Sequence, residues 1–502
     1  MAFRAAAITL LICIVAACKV GPNFVPPNEP TPKEYSEAAA DQPNPGAPRP
    51  DGQTAPDSFW WRQFRDARLD QLEDQAAAEN LGLKASYLRI VAARIQVQAT
   101  RAQGLPSLNG AASYTREQLG LAGIVKAQGL ETGSTTPAIQ DLISSLERPV
   151  NLYQLGFDAS WEVDLFGKVS RSVEAADAQS KQALESRNDL LVSLEAEVAQ
   201  TYFQLRAGQV LRRLVGALIA DQREVVDLTA SRQLHGLGSE ADVQTARAQL
   251  ASLESQLPQY EQTVASSRHA LAVLCGKTPE TFDAEFGETG ELPAIPEIVS
   301  VGLPSTLARR RPDIRNAEAA LHEATAQVGV SVASLYPQVS LTGTLGLRNT
   351  GTRYLFDWAS KFYTAGPSIS VPIFHGGALV ANVRLSRTEA AAAALNYRST
   401  VLNALQEVED GLSNLRQDAQ RSTALGTTVS ADQRALDIDL DAYKHGLITY
   451  VTVLTVQLQT VQARQQLAQA RLTQSIDLIK LYKALGGGWE TAPDAAPEPE
   501  SP

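Results

Sequence analysis

At 502 residues the chain is too long for one compact core, yet 44% hydrophobic and 20% charged residues place it in the globular range and exclude a disordered or collagen-like class. Its 44 Lys+Arg against 55 Asp+Glu leave a net charge of −11. That balance lacks the basic footprint that nucleic-acid phosphates require, so no nucleic-acid partner is expected.

The first element is a leader. Arg4 precedes an apolar run from Ala5 to Ala17. The run is too short to span a bilayer, which takes about 20 residues, and reads as a signal peptide over residues 1–17. It ends Val15-Ala16-Ala17-Cys18, which resembles the lipobox of bacterial lipoproteins. Cleavage before Cys18 would leave a thiol and an amine to be acylated. Acyl chains contribute about 0.8 kcal/mol per buried methylene, so several together form a stable anchor. Lys19 follows the cysteine; an Asp there would resemble an inner-membrane retention signal, so the outer membrane is expected. Residues 18–57, Pro-rich from Pro22 to Pro56, read as a lipidated, extended arm. With Cys13 in the leader and Cys18 acylated, Cys275 is left as the free thiol and no intrachain disulfide framework is possible. No internal segment approaches 18 consecutive apolar residues, so entry into a membrane must be by strands.

Beyond the arm the chain holds two copies of one plan, residues 58–276 and 305–488, joined by a connector over 277–304 and followed by a tail, 489–502, that reads as disordered. Leu234-His235-Gly236-Leu237 recurs as Lys444-His445-Gly446-Leu447, and the offset of 210 holds through Val243 and Val453, Leu257 and Leu467, Leu271 and Leu481, to Gly276 and Gly486. Leu105-Pro106 matches Tyr336-Pro337, and Gly156 to Phe166 matches Gly366 to Phe374. Each copy reads helix, strand, loop, strand, very long helix, turn, long helix.

Strands are expected over 107–117 and 152–165 in the first copy and over 337–348 and 362–374 in the second. Tyr153, Leu155, Phe157, Ala159, Trp161 and Val163 share one face, which suits lipid. Gln154, Asp158, Ser160, Glu162 and Asp164 share the other, which suits a wet lumen. Runs of about 10 residues with this alternation match a tilted strand crossing a bilayer. A half-buried strand of a soluble sandwich alternates in the same way, but the rest of the chain looks helical and offers no partner sheet.

The helices announce themselves by what is missing. No Pro falls between Pro149 and Pro258 or between Pro372 and Pro493. Leu184, Leu191, Val198 and Leu205 are seven apart, as are Leu447, Leu454, Val461 and Ala468. A helix of about 65 residues is close to 100 Å long, and such helices must pack side by side. The turns at 235–238 and 445–448 carry Gly236-Leu237 and Gly446-Leu447; a glycine there can reverse the chain in a left-handed conformation, making hairpin tips. Four strands cannot close a barrel with a lumen, and an open edge in lipid leaves backbone groups unpaired. Two chains would give eight strands around a filled interior, three would give twelve around water, and the polar row favours three.

The segments CKVGPNFVPP from Cys18, GFDASWEVDLFGKVSRSVEAA from Gly156, GPSISVPIFHGG from Gly366, NALQEVEDGL from Asn403 and YKHGLITYVTVL from Tyr443 resemble the NodT-type, TolC-like family of outer-membrane factors across practically the whole mature chain. The resemblance implies a mainly α protein with a membrane β-barrel: a homotrimer whose twelve-stranded barrel continues as a tunnel of twelve helices into the periplasm of a Gram-negative envelope. It also implies docking to a periplasmic adaptor protein and an inner-membrane pump, usually of the resistance-nodulation-division class, that expels drugs or other toxic small molecules. In that family the tips, here Gly236, Leu237, Gly446 and Leu447, meet the adaptor; His235 and His445 replace the family's Val. The family's last helix opens with an Asp-x-x-Asp pair that constricts the periplasmic mouth, and by register Thr452 and Thr455 occupy those positions. An aperture closed by packing and neutral hydrogen bonds is therefore expected, with Tyr443 and Val451 nearby and Asp242 as the remaining acid. No zinc-protease, P-loop or nucleophile-elbow motif is present, so neither an enzyme nor a metal site is expected, and no cofactor beyond the lipid on Cys18. Two alternatives stay open, a duct for protein secretion and a lipid-tethered coiled-coil scaffold without a pore.

Overall fold

A computed structural model describes residues 19–38, 47–118, 148–282, 286 and 290–491. The leader, Cys18 and the tail beyond 491 lie outside the described residues. In chain order the elements are β1 (Arg49–Asp51), α1 (Ala67–Glu79), α2 (Leu81–Ala102), β2 (Ser107–Glu117), β3 (Val150–Val163), α3 (Lys168–Leu234), α4 (Glu240–Leu274), β4 (Ile298–Ser300), α5 (Pro304–Arg310), α6 (Pro312–Ala333), β5 (Gln338–Asn349), β6 (Lys361–Ser370), α7 (Ala378–Lys444) and α8 (Tyr450–Ala484). The duplication governs these bounds: α3 and α7 have 67 residues each, α4 and α8 have 35 each, and every end keeps the offset of 210. Among the described residues no helix is long and apolar enough to cross a membrane.

The chain divides into two compact units. One comprises Met1–Val25, Arg94–Ala178 and His322–Ala391 and contains a four-stranded antiparallel sheet of order β2-β3-β5-β6. Its register pairs Gly110 with Phe157, Phe157 with Leu345 and Leu345 with Tyr363, so all four strands turn their apolar residues to one face. Among the described residues that face stays exposed: Phe157, Leu345 and Tyr363 are 58%, 61% and 76% exposed. Asp158, Ser160 and Glu162 lie on the opposite face with Thr344, Thr342 and Ser340 as cross-strand partners. β3 begins and ends two residues ahead of the expected 152–165, and β5 lies one residue later than 337–348. β6 stops at Ser370 instead of 374. Pro372 has no N–H to give a ladder, so Val371 and Ile373 fall outside the strand.

The other unit comprises Pro26–Ala93, Gln179–Leu321 and Ala392–Pro502 and is helical apart from one short strand pair. Its core gathers aromatic side chains from distant parts of the sequence: Trp60 stacks on Tyr482 at 5.1 Å and Phe64 meets Phe203 at 4.8 Å. The heptad residues Leu191, Val198 and Leu205 are buried, as is Val461, whereas Leu447 stands in a turn and is 77% exposed. β1 of the arm pairs in parallel with β4 of the connector, Pro50 opposite Val299, so these two Pro-rich segments fold on each other. The buried Arg311 gives Nε and Nη2 to Asp313 at 2.9 and 2.7 Å and Nη1 to Glu407 and the Ala484 carbonyl at 2.6 and 2.9 Å. A buried guanidinium is tolerated only with such pairing.

Pro258, where the Pro-free stretch of sequence ends, lies inside α4 at an exposed position, where water can meet the carbonyl that loses its partner, and the helix continues through it to Leu274. The ordered chain also runs past 489: Trp489 donates its indole N–H to the Arg310 carbonyl at 2.8 Å and Glu490 pairs with Arg310 at 2.6 Å. The residues at the start of the presumed tail thus have partners and are held.

Candidate functional site at the hairpin tips, the sheet and the arm

Each long helix ends in the same turn. Gly236 and Gly446 adopt φ of 73° and 74°, a left-handed conformation that a side chain resists. The N–H of Leu237 reaches the Arg232 carbonyl at 2.8 Å and that of Gly236 the Gln233 carbonyl at 3.0 Å; Leu447 and Gly446 repeat this with Ala442 and Tyr443 at 2.9 Å each. The pair of bonds is a Schellman motif, which satisfies carbonyls left open by the helix end. It leaves Leu237 and Leu447 pointing outward, 69% and 77% exposed. His235 and His445 each turn Nδ1 to the carbonyl four residues back, Ser231 at 2.7 Å and Asp441 at 2.9 Å, so the ring donates through Nδ1 and extends each helix.

Behind the tips a side chain not singled out by sequence joins the two hairpins. Arg232 donates Nη1 to the Tyr443 carbonyl at 2.7 Å, and its guanidinium lies 4.5 Å from the centre of the Tyr443 ring. Tyr443 in turn meets Tyr450 at 5.9 Å, and both rings are buried together with Val225, Ala246 and Val453. Burial raises both phenols above their ordinary pKa; the Arg232 charge opposes this at Tyr443, and the hydrogen bond with Gln222 opposes it at Tyr450. Gln222 donates to the Ala246 carbonyl at 2.9 Å and accepts from Gln457 at 2.8 Å, continuing the link between the first and second hairpins.

The residues expected around an aperture divide into two groups. Val451, Thr452 and Thr455 lie together on an exposed stripe of α8, whereas Tyr443 points into the interior at 4% exposure. Thr455 gives its hydroxyl to the Val451 carbonyl at 2.9 Å, and Thr452 shares a hydroxyl contact of 3.3 Å with Thr449. Asp242 is engaged in a capping box: Ser239 N–H donates to its carboxylate at 3.1 Å, and its own N–H donates to the Ser239 hydroxyl at 3.2 Å.

On the sheet, Gln154, Asp158, Ser160 and Glu162 share the polar face. Gln154 accepts from Nε and Nη2 of Arg348 at 3.2 and 2.9 Å, Ser160 shares a hydroxyl contact of 3.0 Å with Ser107, and Glu162 lies 3.8 Å from the Lys168 ammonium. Asp164 departs from expectation. It falls one residue past β3 and caps α3, accepting from the Val169 and Ser170 N–H groups at 3.1 and 2.7 Å and from the Ser170 hydroxyl at 2.7 Å.

The arm immediately after Cys18 is docked in the sheet-bearing unit. Val20 N–H reaches the Phe166 carbonyl at 3.3 Å where β3 passes into α3. Arg171, 1% exposed, donates to the carbonyls of Val20 and Gly21 at 3.2 and 3.4 Å and to the Asn23 side chain at 2.8 Å. Glu174 pairs with Arg171 at 2.9 Å and His322 at 3.1 Å, and Phe24 stacks on the His322 ring at 4.3 Å. The two hydrogen bonds and the Arg171 and Lys19 charges outweigh partial burial and hold Glu174 below the ordinary carboxylate pKa. Gly21 has φ of 87°, and a Cβ there would stand 2.7 Å from the Cα of Gly329. In the sequence this segment reads only as an extended arm; the residues that receive it lie far along the chain.

Comparison with known proteins agrees with this geometry. The family described as outer membrane efflux protein matches residues 72–277 and 303–487. Nodulation protein T of Rhizobium leguminosarum bv. viciae is 30% identical over 500 residues, covering 100% of this chain and 95% of its own. The toluene efflux pump outer membrane protein TtgC of Pseudomonas putida is 29% identical over 483 residues, covering 95% and 94%. Among solved structures, the outer-membrane channel OprN superposes with a TM-score of 0.82 at 31% identity, covering 94% of this chain and 100% of that one. The open state of the Neisseria gonorrhoeae MtrE outer membrane channel does so with 0.76 at 26% identity, covering 94% and 99%.

Proposed function

The chain belongs to the outer membrane efflux protein family, as a NodT-type, TolC-like member, and from that membership we propose how its residues serve a channel. It is the outer-membrane channel of a tripartite efflux system, and its family consists of channels, not enzymes. Three copies close one barrel. The observation that carries this is the sheet β2-β3-β5-β6, whose outer strands β2 and β6 have no further partner among the described residues and whose apolar face is bare. In hydrocarbon each unpaired backbone group is costly, so the edges must be met by sister chains. Twelve strands leave room for water, and Gln154, Asp158, Ser160 and Glu162 line it. Asp164 stands at its helical end as a cap.

Cys18 carries the lipid anchor. Lys19 packs against Gly167 where β3 gives way to α3, which supports an anchor held at the helical rim of the sheet, the level of the inner leaflet. Gly236, Leu237, Gly446 and Leu447 meet a periplasmic adaptor through two exposed leucines on rigid turns, and an inner-membrane pump of the resistance-nodulation-division class drives export. The mouth between tips is bordered by Val451, Thr452 and Thr455, with Tyr443 packed behind and Asp242 held in its cap. The cargo is toxic small molecules, as the toluene-efflux name of one relative suggests. Deleting the gene, alone and together with the gene of an inner-membrane pump that acts with it, should raise susceptibility to solvents or drugs equally in both strains. Unchanged susceptibility with a defect in protein secretion would overturn this cargo class.

A further inference from the structure

The bare face of the sheet is asymmetric along its length. Its register places five residues of β2, seven of β3, six of β5 and five of β6 on that face, and among these only Arg116 and Lys361 are charged. Both are cations, both are exposed, and both lie at the strand ends remote from the helices. Aromatic rings collect at the same end: Tyr114 meets Tyr153 at 4.9 Å, and Lys361 holds its ammonium 4.5 Å from the Trp358 ring. Trp358 and Phe356, in the segment joining β5 to β6, are 77% and 74% exposed. The one carboxylate of that segment, Asp357, sits in the connection and not on the strand face. At the helical end the same face offers Leu108, Trp161, Val339 and Ile369 and no charge. A girdle needs aromatics at both interfaces, but nothing in girdle chemistry calls for cations at one rim alone.

We propose that this outer rim is a binding site for the phosphorylated headgroup of an outer-leaflet glycolipid, with Arg116 and Lys361 pairing to its phosphates, Trp358 and Phe356 beside them at the interfacial level and Tyr363 toward its acyl chains. The proposal rests on the barrel reading, because it takes the apolar face as lipid-facing. Anionic headgroups attract cations placed at the interfacial level, and indole rings partition there. Lys361 is pre-positioned for this by its ring contact, which leaves its ammonium at the level of the exposed Trp358.

The test is a native mass spectrometry titration of the detergent-purified protein with bisphosphorylated lipid A, with the same lipid after phosphatase treatment, and with inorganic phosphate as competitor. The wild type should prefer the phosphorylated lipid. R116A/K361A should weaken that binding by about tenfold or more while leaving the dephosphorylated lipid unaffected. R116K/K361R, which keeps both charges, should retain it, and millimolar phosphate should not displace the lipid. Equal binding by the double alanine variant, no preference for the phosphorylated lipid, or displacement by free phosphate would each overturn the headgroup site. Heat-modifiable trimers report on the barrel separately: trimers without lipid preference sink this site alone, whereas protein that never enters the membrane sinks the barrel reading and the site with it.

Discussion

Arg232 bridges the two hairpins behind their tips through both a carbonyl bond and a ring contact with Tyr443. Such a pair of interactions is worth about 2 kcal/mol, or roughly thirtyfold in an equilibrium between joined and parted tips. R232A should therefore raise the open probability of reconstituted channels, with R232K intermediate, in single-channel recordings; unchanged gating would leave the contact a matter of packing alone. A second residue-scale consequence concerns Glu73, whose two carboxylate oxygens are fully buried without a hydrogen-bond partner among the described residues. Burial first, then the charge of Glu195 and of Asp74 and Asp70, pushes its pKa well above the carboxylate range. A raised folded-state pKa means that its stabilisation is complete below the unfolded pKa and is lost as pH rises through the folded one. The thermal unfolding temperature of the wild type should fall as pH rises above the ordinary carboxylate range, and E73Q should flatten that slope; a parallel profile for both proteins would contradict the assignment.

At the scale of elements, the clasp on the arm stands on Arg171, whose charge is paired within a nearly closed pocket. Losing its hydrogen bonds to Val20, Gly21, Asn23 and Glu174 costs about 1.5–3 kcal/mol, since Glu174 is partly exposed and keeps His322. R171A should lower the unfolding temperature and expose the 19–24 segment to protease, and the protease ladder checks it. The long helices were legible because one duplication fixes two pairs of them at once, and Gly236 and Gly446 mark both turns. The strands were legible from alternation, but alternation runs on past the last ladder bond: Asp164 kept the period of β3 while its carboxylate was already capping α3. β1 and β4, three residues each, are too short to carry any period. Arg232 and Tyr443 lie 211 residues apart, and Arg171 and Val20 lie 151 apart, so neither contact leaves a local trace. Trp489 looked like the start of a disordered tail because a single aromatic among Gly, Ala and Pro says nothing of the Arg310 carbonyl that receives its N–H.

For the molecule as a whole, the proposed bordering of the mouth by the hydroxyls of Thr452 and Thr455 has a consequence for permeation. A ring of hydroxyls neither repels itself nor concentrates cations as carboxylates do. Conductance should be insensitive to divalent cations added on the periplasmic side, and T452D/T455D should acquire a block. Above all stands the closure of three open-edged sheets into one water-filled barrel. The most direct test is the mass of the purified protein by light scattering, with the detergent contribution subtracted. Three chains of up to 53.8 kDa each, in a particle that requires detergent, is the expected result. A single chain that stays dissolved without detergent would contradict it.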